Sequence, residues 1–416
     1  MKEFLNLRQP TEALELFLEV FSPPLLEQET IATENALGRI LAEPLFSPHP
    51  LPNFERSAMD GYALKARNTY GACESFPVKL QCVGEVKMGE PPAFVIDDNQ
   101  CALIHTGGMM PQGADAVVPL EYTKSQRQQE NYFSIEVNIA VSAGENVIHI
   151  GSDIALDEKL LETGSLIRAV EIGGLLALGI TKISVFRKLN VGIISSGDEV
   201  VPPTVEVKLG QVRDVNTYTI SSLVHQRHHT PISYGISPDN EEILSQKVHQ
   251  AFHECDIVVI GAGSSASEKD LTSKVINKLG KPGVVIHGLN IRPGKPAILA
   301  VCNNKPIIGL PGNPVSAFVI ATLFLNPIMD KCSGSSHYYS PCFCKGILTV
   351  NVPSKAGKEE WYPIKIHKGY ENDVLVEPIF YQSNLIFSLC KADGLMKIPS
   401  ESDGLSAGAK VDFIKI

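Results

Sequence analysis

The sequence predicts a multidomain α/β protein: a parallel α/β domain in the second half of the chain, a β-rich region ahead of it and a small antiparallel sheet or barrel at the end. Three observations carry this. From Leu189 to Asn290, apolar runs of strand length alternate with helical stretches of about 10 to 15 residues, the pattern of βαβ units whose sheet is covered on both faces. Prolines at 44, 48, 50 and 52 separate an N-terminal helical region from a stretch of short strand-like runs. Beyond residue 338, short apolar runs are broken by Pro and Gly turns without a convincing helix.

Length and composition bound the answer. A chain of 416 residues is too long for one ordinary core, and about 150 residues per domain predicts roughly two to four. The composition is that of a soluble globular protein, and a net charge of −10 with a pI near 5.6 argues against a nucleic-acid footprint or a basic membrane patch. The N-terminus, Met1-Lys-Glu-Phe-Leu-Asn-Leu-Arg-Gln9, lacks the apolar core of a signal peptide, and no run reaches the roughly 18 apolar residues of a membrane span. A cytoplasmic location follows as the expectation. Nine cysteines, an odd number with no C-x-x-C pair, predict reduced thiols, and the spacing of Cys332, Cys342 and Cys344 is wrong for zinc.

In chain order, residues 11–21 place Leu14, Phe17, Leu18 and Phe21 on one helical face behind a Thr11 cap, and Pro23-Pro24 stops the helix. A second short helix is expected around residues 33–41. The proline-rich connector cannot join a central sheet and reads as a crossing between domains. Segments 78–83, 101–105, 116–119 and 133–137, set apart by Gly, Pro and Asn, predict a small β-rich domain, after which the chain returns through 144–164 to a helix at 169–178. The α/β region follows, with strands at 190–194, 232–236, 256–260, 284–287, 297–301 and 307–310 and helices at 217–227, 241–253, 271–279 and 316–325. Segments 346–350, 361–366, 374–378, 395–398 and 410–416 make the terminal sheet or barrel.

In parallel α/β sheets, ligands sit outside the carboxyl ends of the strands. The polar loops of this region all follow strand ends, so one edge collects Asp198, Glu199, Asp239, Asp270, Arg292, Lys295 and several glycine N–H groups. Such an edge suits phosphate, with a divalent metal between its acids and the phosphate oxygens. The stretch 306–320 carries its tightest loop. Pro311 and Pro314 fix φ near about −65°, Gly312 permits positive φ, and Asn313 is placed to cap a helix whose first position is Pro314. The N–H groups of that first turn, with the helix dipole, face an anion. Taken alone, such a loop is a structural turn; with the two cations of Arg292-Pro-Gly-Lys295 nearby, an anion site is the better reading. Asp239 precedes a helix and is either its N-cap or a metal or phosphate ligand. Asp60, in Met-Asp-Gly-Tyr, by itself reads as a turn residue.

Several motifs carry a resemblance. Arg56-Ser-Ala-Met-Asp-Gly-Tyr-Ala63, His105-Thr-Gly-Gly, Pro111-Gln-Gly-Ala-Asp-Ala-Val-Val118, Ser195-Ser-Gly-Asp-Glu-Val200, Asp214-Val-Asn-Thr217, Arg292-Pro-Gly-Lys-Pro296 and Leu310-Pro-Gly-Asn-Pro-Val-Ser316 appear in the order of the molybdopterin molybdenumtransferase family. This is the MoeA family, related to the E domain of gephyrin, and the tail from Ser383 to Pro399 is similar to its last domain. The resemblance implies a homodimer of four-part chains: a discontinuous dimerisation domain (1–52 and 142–185), an inserted β-rich domain (53–141), a molybdopterin-binding α/β domain (186–331) and a C-terminal β-barrel (332–416). It implies a reaction in which adenylylated molybdopterin and molybdate become molybdenum cofactor and AMP with Mg2+, and a molybdopterin adenylyltransferase as a possible partner. Carried onto this chain, Asp60, Glu199 and Asp270 are the catalytic residues, Glu199 and Asp270 also holding the metal. Thr106, Ser196, Asp239, Ser265, Arg292, Lys295, Pro311, Gly312, Asn313 and Pro314 bind the pterin, with Asp60 and Thr106 arriving from the partner subunit. A pyrophosphate and molybdate are both anions, so the resemblance and the anion edge agree.

The chain departs from the family where two glycines are Ala262 and Ser267, where a Cβ blocks close backbone approach or positive φ. A lysine is Ser273, an aspartate is Asn240, the first lysine of the cationic loop is Arg292, and expected arginines near 148–150 are Ile148, His149 and Ile150. The alternative function is a molybdopterin-binding or scaffolding relative without turnover. A Rossmann site at Gly261-Ala-Gly-Ser-Ser-Ala266 fails its own requirement, because residues 281–290 contain no acid to hold a ribose.

Overall fold

The computed structural model describes residues 7–129, 132–262, 266–336, 342–370 and 373–416, with backbone alone at 126–129, 132–133, 262 and 266–270. The chain divides into two compact units. One comprises residues 44–162 with 173–180; the other comprises residues up to Glu43, 163–172 and 181–416.

The first of these holds a six-stranded sheet in the order Ala116–Pro119, Gly61–Leu64, Gln100–Ile104, Val78–Glu85, Tyr132–Val137, Thr123–Gln129. Every segment expected there is a strand. Gly61–Leu64 and Thr123–Gln129 are additional. The former is central, with all its residues buried, and a Cβ on Gly61 would lie 2.2 Å from the Val118 carbonyl oxygen. Glycine after Asp60 is therefore required by the close strand pairing and not by a turn.

The larger unit is built on a second six-stranded sheet, in the order Thr230–Ser237, Asn190–Ser196, Ile257–Ala262, Lys305–Pro311, Ile298–Cys302, Pro282–His287. The first four run parallel, as expected. Ile298–Cys302 runs antiparallel to both neighbours, so the sheet is mixed. The cause is local: Asn303 and Asn304 sit at φ +49° and +62°, a two-residue turn with both centres left-handed, which leaves no room for the crossover that a parallel connection needs. Buried aliphatic residues of these strands, among them Val191, Ile193, Val259 and Ile308, form the core with the Pro314–Ile320 helix. That helix continues to Cys332; among the described residues it is the one span of membrane-crossing length and hydropathy, and it is 83% buried, as a core helix is.

Two local expectations are corrected. The N-terminal helix is Pro10–Val20, begun by Gln9 with Pro10 in its first turn and no side-chain cap from Thr11. Residues 33–41, where a second helix was expected, hold a single 3-10 turn, Thr33–Asn35, and isolated bridges at Ile40 and Leu41; ahead of them Gln28–Ala32 is a strand paired with Lys182–Phe186. The apolar face of the first helix is covered within the unit, since Ala13, Phe17 and Phe21 are fully buried against Leu189, Ile291 and their neighbours. The C-terminal segment forms the expected barrel: Glu359–Lys368 pairs with both Val374–Pro378 and Gly394–Ile398, and Cys344–Leu348 and Lys410–Lys415 complete the ring. A short helix, Phe387–Cys390, interrupts it.

Burial drives the His229 imidazole down to about 4, and the Leu189 N–H, 3.5 Å from Nδ1, faces it as a donor. Folding thus favours the neutral ring, and its contribution is fully present above the unfolded value near 6.5 and lost as pH falls towards about 4. Unfolding free energy should fall by about 2 kcal/mol between pH 7 and pH 5 from this group, read from urea midpoints, with a flatter profile in His229→Gln.

Candidate active site

The sheet's register determines which residues meet. Ser196 lies opposite Ser237, Ser195 opposite Gly261, Gly261 opposite Leu310 and Ala262 opposite Pro311, so the four parallel strands end together at one edge. The loop after Ser196 turns at Gly197, where φ is +143° and a Cβ would meet the Glu199 carboxylate at 2.7 Å. This leaves Asp198 and Glu199 exposed at the rim. The Asp239 N–H donates to Asp198 Oδ1 at 3.1 Å, which ties two strand-end loops together.

Asp239 is not the helix cap. Asn240 takes that place, its Oδ1 accepting from the Glu242 and Ile243 N–H groups, so the family departure at Asn240 supplies the cap and leaves Asp239 to the edge. Beneath the edge, the Asp214-Val-Asn-Thr217 motif acts as a brace. Thr217 Oγ1 donates to Asp214 Oδ2 at 2.7 Å and lies 2.9 Å from Ser195 Oγ, while Asn216 Nδ2 donates to the Gly312 carbonyl at 2.8 Å.

The tight loop at 311–314 closes differently from expectation. Asn313 is at the N-cap position, but its side chain donates to Ser383 Oγ at 2.9 Å instead of capping the helix. Pro314 has no N–H, and the Val315 N–H is taken by the Ser383 carbonyl at 3.1 Å. The anion cradle therefore relies on side-chain cations more than on free helix N–H groups. Those cations are in place. Arg292, Lys295, Pro311, Gly312 and Asn313 line one cleft of about 440 Å3 together with Tyr381 and Ser383 from the barrel segment. At Gly294, between the two cations, φ is +111° and a Cβ would lie 2.5 Å from Ile320 Cδ1, so only glycine lets the loop lie on the helix.

Ser196, Glu199 and Asp239 line the same strand-end edge outside this cleft, and Pro314 opens the helix behind it. Ser265 lies outside the described residues, and Asp270 is on the helix Ala266–Asn277, which starts earlier than expected. Ala262 is in a strand and Ser267 in that helix, so neither occupies backbone that needs the positive φ of glycine. No group of three or more potential metal ligands occurs among the described residues. The exposed carboxylates of Asp198 and Glu199 nonetheless suit a hard cation that keeps most of its waters and shares substrate phosphates.

In the smaller unit, Asp60 Oδ1 accepts from the Thr106 N–H at 2.7 Å and the Thr106 hydroxyl at 3.1 Å. The Thr106 backbone bond, then its hydroxyl, hold the Asp60 carboxyl below the usual carboxylate range, with His105 adding to them. Asp60 is thus an ionised group with a defined orientation, which its Asp-Gly setting alone did not reveal.

Comparison with known proteins decides the family. Residues 8–179 match the model of the MoeA N-terminal region (domains I and II), 192–331 that of a probable molybdopterin binding domain, and 345–416 that of the MoeA C-terminal region (domain IV). A molybdopterin molybdenumtransferase of Nostoc sp. is 33% identical over 92% of this chain and 87% of its own length.

The chain belongs to the MoeA family.

A Haemophilus influenzae molybdopterin molybdenumtransferase is 29% identical over 92% of this MoeA chain and 93% of its own. The crystal structure of a molybdopterin biosynthesis MoeA protein from Pyrococcus horikoshii OT3 superposes with a TM-score of 0.84, at 30% identity, covering 99% of this chain and 100% of that one. For this MoeA chain, sequence reasoning missed Tyr381 and Ser383 in the lining of the cleft and Asn216 as the brace on its Gly312. Asn216 was visible only as a letter in a motif, and Ser383 only as part of a similar tail.

Proposed function

We propose that this chain inserts molybdenum, converting adenylylated molybdopterin and molybdate into molybdenum cofactor and AMP. The observation that carries this is the cleft that gathers Arg292 and Lys295 against Pro311, Gly312 and Asn313, within a chain matched along nearly its whole length by MoeA models. Its cations neutralise the anionic groups of the pterin and of molybdate, and the rigid proline-glycine loops hold them in position. Glu199 and Asp270 would hold Mg2+, which when bound supplies charge neutralisation at the phosphoanhydride. Ser196, Asp239, Ser265 and Pro314 complete the pterin site. The reaction runs in the cytoplasm, in keeping with nine unpaired cysteines, and a molybdopterin adenylyltransferase hands over the substrate. Incubated anaerobically with both substrates and Mg2+, the protein should yield a product that activates a molybdenum-free apoenzyme. Absence of activation would count against the proposal. The scaffold alternative loses part of its support, because Ala262 and Ser267 sit in regular backbone.

The assembly we propose is a homodimer in which the inserted domain of a second copy supplies Asp60 and Thr106, with domains at 1–52 plus 142–185, 53–141, 186–331 and 332–416. Support comes from the helix Ala169–Ala177. Apart from Glu171 its residues are apolar or glycine, yet only Leu175 is buried, Val170 and Leu176 are 69% and 40% exposed, and Gly173 and Gly174 face open space. Such a face needs a partner. The protein should run as a dimer in light scattering at micromolar concentration, and Val170→Asp with Leu176→Asp should make it monomeric. A monomeric wild type would defeat the assembly.

A further inference from the structure

We propose that Glu360 is a positioning residue, a buried carboxylate that keeps the Arg292 guanidinium directed at the anion cleft. The inference rests on the insertase reading for the identity of the anion, and on geometry for the rest. Ile291–Arg292 lies parallel to the first residues of the barrel strand Glu359–Lys368, with Arg292 in register with Glu360. Glu360 is 1% exposed, whereas the Arg292 side chain beside it is 59% exposed. Arg292 Nη1 is 3.5 Å from Glu360 Oε2, Lys358 Nζ is 3.2 Å from Oε1, and the Tyr362 hydroxyl donates to Oε2 at 3.3 Å. The Lys358 contact to Oε1 is an ion pair without hydrogen-bond geometry, and no other described residue bonds that oxygen. A carboxylate this buried is costly unless cations face it, so Glu360 and its two cations constrain one another. Its neighbour Glu359 is satisfied differently, accepting from Trp361 Nε1 at 2.7 Å with Lys397 Nζ at 2.7 Å, and has no tie to the cleft cations. Glu360 thus holds one guanidinium nitrogen of Arg292 at the barrel strand while Arg292 lines the cleft. Because the guanidinium offers several N–H donors, it can keep this pair and still meet an oxyanion.

The test turns on a sign. Glu360→Gln preserves volume and removes a negative charge beside an anion site. By Coulomb's law alone, anion affinity should then rise. Positioning predicts the reverse: molybdate binding by the full-length protein, measured calorimetrically, should weaken about tenfold. Placed in an Arg292→Ala background, the substitution should cause no further loss. Glu360→Asp, which keeps the charge and draws it back from Arg292, should also weaken binding and carries the test if the glutamine variant does not fold. Equal or tighter binding by the variants, or an additive loss without Arg292, would overturn the proposal. A wild type that binds neither molybdate nor adenylylated molybdopterin would instead bring down the insertase reading itself.

Discussion

Asp270→Asn and Asp60→Asn should each bind the pterin and dimerise as the wild type does, yet release AMP at least about tenfold more slowly. The amides preserve shape and remove charge. For Asp270, on the helix Ala266–Asn277, the lost charge is the one proposed to hold the cation against the pyrophosphate. For Asp60, the structure supplies a sharper argument. Its Oδ1 accepts two hydrogen bonds from Thr106, which hold it ionised, and an amide oxygen at the same position can still accept both. The loop around Thr106 should therefore survive while the negative charge is lost. Pre-steady-state AMP release with tight-binding controls distinguishes the outcomes. Full activity in both variants would remove these carboxylates from the chemistry, whereas lost pterin binding would move them from turnover to affinity.

Lys295→Ala should weaken binding of the phosphate-bearing pterin by about one to two decades, the usual cost of losing a charge-assisted contact. The structure strengthens this expectation. With Val315 N–H bonded to the Ser383 carbonyl and Pro314 lacking a donor, the helix terminus offers less than its sequence promised, and the cations carry more of the anion's neutralisation. Arg292 cannot readily substitute, because Glu360 holds it from the barrel side. Unchanged affinity, measured by pterin absorbance, would place the phosphates elsewhere on the strand-end edge.

The parts of this architecture set by short-range pattern were legible in the sequence. Alternating apolar runs located the parallel strands, and placing the polar loops after strand ends put Asp198, Glu199 and Asp239 on one edge, where the strands end in register and Asp239 bonds Asp198. What was not legible depends on contacts distant in sequence. Asn313 looked like a cap, but Ser383, 70 residues on, captures its side chain. The Asn303-Asn304 turn reversed a strand that its apolar composition could not orient. Glu359 and Glu360 lie ahead of the expected segment 361–366 and drew no reading, yet both are buried, because Lys397 faces the first while Arg292 and Lys358 face the second. The N-terminal helix showed the same limit in reverse: its apolar stripe was clear, but the surface that covers it was not.

The most direct test of molybdenum insertion by this cleft is single-turnover release of AMP from adenylylated molybdopterin by the wild-type protein, with and without molybdate, under anaerobic conditions with Mg2+. The account predicts stoichiometric AMP release that depends on molybdate and on Mg2+, with the pterin recovered as molybdenum cofactor. Tight pterin binding without molybdate-dependent AMP release would contradict it and identify the chain as a binding member of its family.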